Sequence, residues 1–98
     1  MQTEAAISRL RAHEQELRGL GIARLSLFGS AARGEAGPDS DIDLAVSFDA
    51  AAGIGMFKLY AIEERLREIV GGRIDLVSEP ARRRRFQDQI DRDRVRVF

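Results

Sequence analysis

Cysteine is absent from the chain, so disulfides and thiolate metal sites are excluded. The same absence fits a reducing cytoplasm. Long apolar runs are missing too: nothing approaches the roughly 20 residues that span a bilayer. The charged, amphipathic N-terminus MQTEAAISRLRAHEQEL lacks the apolar centre of a signal peptide. A cytoplasmic protein with no membrane partner is expected. Charge of one sign is lacking as well, since 16 basic and 16 acidic residues cancel. No global field therefore draws the chain to nucleic acid, which is not expected as a direct substrate. The single histidine, His13, lies on the apolar stripe of a helix and reads as a boundary residue rather than a ligand.

What is present fits one domain over residues 1–98, with a modest core. A chain of this size buries only about 60–65% of the surface its unfolded form exposes. Residues 4–18 carry Ile7, Leu10 and Leu17 at helical spacing, ended by Gly19 and Gly21. Ile22–Phe28 reads as a strand, with Leu25 and Leu27 on one side and Ser26 and Phe28 on the other. The small-residue stretch 29–40 follows, with Ser30 placed to cap a short helical turn and Gly37-Pro38-Asp39-Ser40 signalling another turn. Asp41–Asp49 alternates, Ile42, Leu44, Val46 and Phe48 facing one way. A helix is expected over 55–70, stopped by Gly71-Gly72, with Met56, Phe57 and Tyr60 assigned to the core or to an interface patch. A short strand over 73–77 shows Asp75 opposite Ile74 and Leu76. Pro80 is placed as the first residue of a polar helix reaching about Asp93, and residues 95–98 as a last strand. The fold class is α/β: a mixed sheet with flanking helices.

Two clusters of charge stand out. Four aspartates and no base occupy 39–49, while Arg82–Arg85 is an unbroken basic run. Four adjacent arginines point around a helix in all directions, so a solvated surface is favoured over a binding stripe for an acidic partner or nucleic acid. Asp41 and Asp43, at i and i+2 of a strand, project from one face about 7 Å apart. Carboxylates that close raise each other's pKa unless a cation sits between them. With oxygen as the only donor, Mg²⁺ or Mn²⁺ suits the pair better than zinc. An exposed strand face with no function accounts equally well for that spacing alone. Gly29-Ser30, directly after a strand, offers backbone N–H groups and close approach to a phosphate, though an ordinary strand-to-helix loop has the same form. Together with Asp75 on a third strand, these residues fit two-metal phosphoryl or nucleotidyl transfer.

The combination resembles the minimal nucleotidyltransferases of the DNA polymerase β superfamily. The residues that carry the resemblance are Leu27-Phe28-Gly29-Ser30-Ala31-Ala32-Arg33-Gly34-Glu35, Ser40-Asp41-Ile42-Asp43-Leu44 and Arg73-Ile74-Asp75-Leu76-Val77. Gly29-Ser30, ten intervening residues and Asp41-Ile42-Asp43 meet the family pattern without gaps. The resemblance implies a polymerase β-like core in which Asp41, Asp43 and Asp75 hold two Mg²⁺ ions. It further implies that Gly29 and Ser30 bind the β- and γ-phosphates of ATP, and that Asp75 helps deprotonate the attacking hydroxyl. Arg33 and Ser40 are expected either to touch phosphate or to structure the loop, the loop role being preferred for Arg33. The chain carries no segment for reading an acceptor, so a partner is expected to supply it. The resemblance points to the antitoxin of a HEPN-type ribonuclease toxin, modified on tyrosine with AMP. A binding module that occludes its partner, and a transferase for small hydroxylated molecules such as aminoglycosides, are the alternatives. A homo- or hetero-oligomer is compatible with so small a core.

Overall fold

The computed structural model describes residues 3–35 and 41–98. The turn expected over 37–40, and with it Ser40, lies outside the described residues. The elements are α1 (Thr3–Ala12), α2 (Glu14–Gly19), β1 (Ile22–Phe28), α3 (Gly29–Ala32), β2 (Ile42–Phe48), a 3-10 turn (Ala50–Ala52), α4 (Met56–Val70), β3 (Ile74–Ser78), α5 (Arg84–Asp93) and β4 (Val95–Arg96). The four strands form one mixed sheet in the order β3-β2-β1-β4. β1 runs antiparallel to β2 and β4, whereas β2 and β3 are parallel and joined by α4.

Alternation along the strands sorts the side chains into two layers. Leu25, Leu27, Ile42, Leu44, Val46 and Ile74 pack against Leu10, Leu17, Ile62, Leu66 and Val70, the apolar stripes of α1, α2 and α4. On the opposite face α5 covers only part of the sheet, through Ile90 against Phe28 and Ala45, with Phe86 edge-on to Phe28 at 5.7 Å between ring centres. The rest of that face stays open to water, and it is there that Asp43 and Asp75 lie.

Three expectations need correction. The first helix is broken at His13, whose ring Nδ1 donates to the Arg9 carbonyl at 2.8 Å while its amide turns to Leu10 O at 3.1 Å. A side chain thus takes the carbonyl that the next helical bond would use. The last helix begins at Arg84, not Pro80. The Gln87 side chain accepts from the Ala81 amide at 2.7 Å and donates to Glu79 at 2.7 Å, which holds residues 79–83 outside the helix. Met56, Phe57 and Tyr60 are not core: they are 84%, 92% and 63% exposed on the first turns of α4. Phe57→Ser should therefore change the unfolding free energy of the isolated chain by no more than about 0.5 kcal/mol in urea denaturation.

The end of α5 is tied to the sheet by Arg94, which donates to Ser26 Oγ at 3.0 Å, to Glu79 Oε1 at 2.9 Å and to Asp91 at 2.9 Å. The guanidinium holds the Glu79 carboxyl below its usual range, and the pair is largely removed from solvent. Arg94→Ala leaves Glu79 without its cation. It should cost about 1–3 kcal/mol, read as a lower urea midpoint at unchanged slope.

Candidate active site

Asp43 stands at the centre of a row that crosses three strands. It is the register partner of Phe28 on β1 and of Asp75 on β3. Side chains at paired positions of neighbouring strands share a face, so Asp43 and Asp75 project together from the open side of the sheet. Asp41 lies one residue before β2 and is exposed. Its Oδ1 is 3.1 Å from Arg73 Nε, and the Ile42 amide bonds to Arg73 O at 3.0 Å. Arg73 thus steadies the entry to β2. It stands in the Arg-Ile-Asp-Leu-Val segment quoted above, and the pairing was not legible because it joins residues far apart in sequence.

The half-buried Asp43 carboxyl has a pKa above its ordinary value. Burial is the first cause, followed by the negative charges of Asp75 and Asp41, with Arg33 opposing. The three acids therefore share one electrostatic field. Among the described residues no three carboxylates are drawn close enough to grip one cation. Asp41 is engaged with Arg73, while Asp43 and Asp75 are paired across β2 and β3. The donor set nonetheless fits a hard divalent ion: oxygen ligands only, and a repulsion that a cation would remove.

The glycine–serine turn meets this row directly. β1 ends at Phe28 and the chain turns at once into α3, with Gly29 at φ +69°. A Cβ at Gly29 would overlap Asp43 Oδ2 and sit 3.1 Å from its Cγ. Only a residue without a side chain lets the backbone lie against that carboxylate. Ser30 does not cap the turn as expected: Phe28 occupies the cap position, and no side chain bonds there. Ser30 is instead the second residue of the turn, partly buried, and its carbonyl accepts from the Glu35 amide at 2.8 Å.

Arg33 is held within the fold. Its Nε donates to Glu35 at 3.1 Å and its Nη1 to Asp93 of α5 at 2.7 Å. These contacts anchor the turn to the last helix, and Asp93 is a partner that no local pattern indicated. The row Phe28–Asp43–Asp75 unites Gly29 with two of the acids, while Asp41 stands at the entry to the same strand.

The glycine turn lies against paired acids on a mixed sheet, and residues 8–97 match the nucleotidyltransferase domain family, to which this chain belongs. Over 69 residues it is 42% identical to the protein adenylyltransferase MntA of Thermococcus cleftensis, covering 69% of this chain and 68% of that protein. A candidate minimal nucleotidyltransferase of known structure superposes with a TM-score of 0.82 at 34% identity, covering 97% of this chain and 95% of that one. The fold also recurs, with a TM-score of 0.62 at 19% identity, in the structure of a tri-AMPylated Shewanella oneidensis HEPN toxin in complex with MNT antitoxin, covering 90% of this chain and 68% of that chain. The chain is thus an enzyme of the nucleotidyltransferase class. No helix among the described residues is long and apolar enough to cross a membrane.

Proposed function

We propose that this chain is a Mg²⁺-dependent adenylyltransferase that moves AMP from ATP to a hydroxyl of a partner protein, acting as the antitoxin of a HEPN-type toxin. The observation that carries the reading is the apposition of Gly29 to the Asp43 carboxylate, with Asp75 beside it in register. The kinship with an archaeal protein adenylyltransferase supports the choice of nucleotide and of a protein acceptor. The shared fold with a HEPN–MNT complex supports the kind of partner.

In this reading Asp41, Asp43 and Asp75 would hold the divalent ions, whose charge would offset that developing on the phosphates. Gly29 and Ser30 receive the β- and γ-phosphates, the missing Cβ giving them room beside the acids. Asp75, the more exposed of the two register partners, takes the proton of the attacking hydroxyl. The new bond joins that oxygen to the α-phosphorus. The bond that breaks is the one from the α-phosphorus to the bridging oxygen, which leaves with pyrophosphate. Occlusion of the partner without chemistry gives no reason to retain an acid whose charge is opposed by burial and by two neighbours.

Intact-mass spectrometry tests the proposal. The chain, ATP, Mg²⁺ and the product of the neighbouring reading frame are incubated together, and the partner is expected to gain one or more AMP groups. No gain, or neutralisation of the partner by Asp43→Asn as complete as by wild type, would favour occlusion instead.

A further inference from the structure

At the other end of the same open sheet face lies a hollow of about 250 Å³ lined by Arg24, Ser26, Ser47, Glu79, Arg94 and Arg96. Ser47 is four residues along β2 from Asp43, about 13 Å at strand rise. Phe86 and Ile90 of α5 pack against Phe28 and Ala45 between the two places. The hollow is therefore separate from the carboxylate row.

Its lining is assembled by register. Arg24 pairs with Ser47 across β1 and β2, and Ser26 pairs with Arg96 across β1 and β4. Ser26 is only 2% exposed, yet its Oγ faces the hollow and accepts from Arg94. A hydroxyl that accepts keeps its own proton to donate. Arg94 is paired with Glu79 and with Asp91, of which only Glu79 lines the hollow. The Arg24 and Arg96 side chains make no hydrogen bond or ion pair with the described residues. Arg94 is thus engaged by two acids, whereas the two positive charges of Arg24 and Arg96 face the hollow without a lining carboxylate of their own.

We infer that this hollow is an anion site for a dianionic phosphate group, bound between Arg24 and Arg96 with the Ser26 and Ser47 hydroxyls as further donors. Guanidinium forks match phosphate oxygens two at a time, and a dianion matches the two charges of Arg24 and Arg96. The volume is below the roughly 300–1,000 Å³ of ordinary ligand pockets, so it suits the phosphate and the first atoms attached to it rather than a whole cofactor. The source is inorganic phosphate or the monoester of a nucleotide.

The test is a ¹H–¹⁵N NMR titration of the full chain at constant ionic strength, with inorganic phosphate in one arm and AMP in the other. Saturable shifts are expected at the Ser26 and Ser47 amides and at the Arg24 and Arg96 Nε–H groups. They should be weakened about tenfold or more in the Arg24→Gln/Arg96→Gln double variant, whose spectrum also reports that the fold is intact. AMP binding tenfold tighter than phosphate assigns the site to the monoester, and equal affinity assigns it to the free ion. Shifts that grow linearly without saturation, that persist unchanged in the double variant, or that are confined to Gly29 and Ser30 would overturn the inference.

Discussion

Asp43→Asn should lower nucleotide transfer by at least about 10³-fold and, in the absence of divalent cation, raise the stability of the protein. Both effects come from the same side chain. Asp43 is half-buried beside Asp75 and Asp41, and burial first, then the two charges, raise its pKa above the ordinary 3.8. The folded chain thus holds that proton more firmly than the unfolded chain. Its favourable contribution is complete below the ordinary value and is lost as pH rises through the raised one. Asparagine keeps the shape and removes the charge. The variant should therefore melt slightly above wild type at neutral pH, by a few degrees at most because solvent screens a half-exposed carboxylate. The gap should close as pH falls toward 4. Added Mg²⁺ should stabilise wild type and leave the variant unmoved, so calorimetry with and without the ion separates the electrostatic effect from a general change in packing.

Gly29→Ala is expected to cost both stability and activity. Two independent features of the backbone oppose the new methyl group. At φ +69° an L-residue is strained by about 1 kcal/mol or more. The Cβ would also overlap Asp43 Oδ2. Relief requires the Asp43 side chain to swing away or β1 to separate from β2, and either movement displaces the reacting geometry. A loss of about 10²-fold or more in kcat/KM is expected, with a lower melting temperature. Gly34→Ala is the control. That glycine shares a positive φ of +74°, and a Cβ there meets nothing within 4 Å. It should lose stability to strain alone and keep most of the activity.

The strands were legible because their side chains alternate and both faces have work to do. β1 is observed at Ile22–Phe28 as expected, and β2 and β3 fall within a residue or two of their expected limits. α4 was legible for a different reason: its stripe of Ile62, Leu66, Ile69 and Val70 ends at Gly71, which takes φ +79° and bonds back to Arg67. The failures share a cause. His13 breaks a helix through a side-chain bond, Gln87 delays one by two side-chain bonds, and Asp41 and Arg33 are engaged by cations or acids distant in sequence. None of these is periodic, so no pattern reveals it. Apolarity alone does not separate core from interface patch, and Phe57 and Tyr60 are exposed. The buried residues of α4 begin only at Ile62. The sequence placed the glycine turn and the acids at the ends of successive strands, whereas the contact of Gly29 with Asp43 required the antiparallel register of β1 and β2.

The most direct measurement follows the label rather than the loss of function. The chain and the product of the neighbouring reading frame, the proposed acceptor, are incubated with Mg²⁺ and ATP labelled on either the α- or the γ-phosphate. Attack at the α-phosphorus predicts that the α-label enters the partner, that the γ-label leaves as pyrophosphate, and that Asp43→Asn transfers neither. Entry of the γ-label into the partner, or equal α-label transfer by wild type and Asp43→Asn, would contradict the assignment of nucleotidyl transfer to this row of acids.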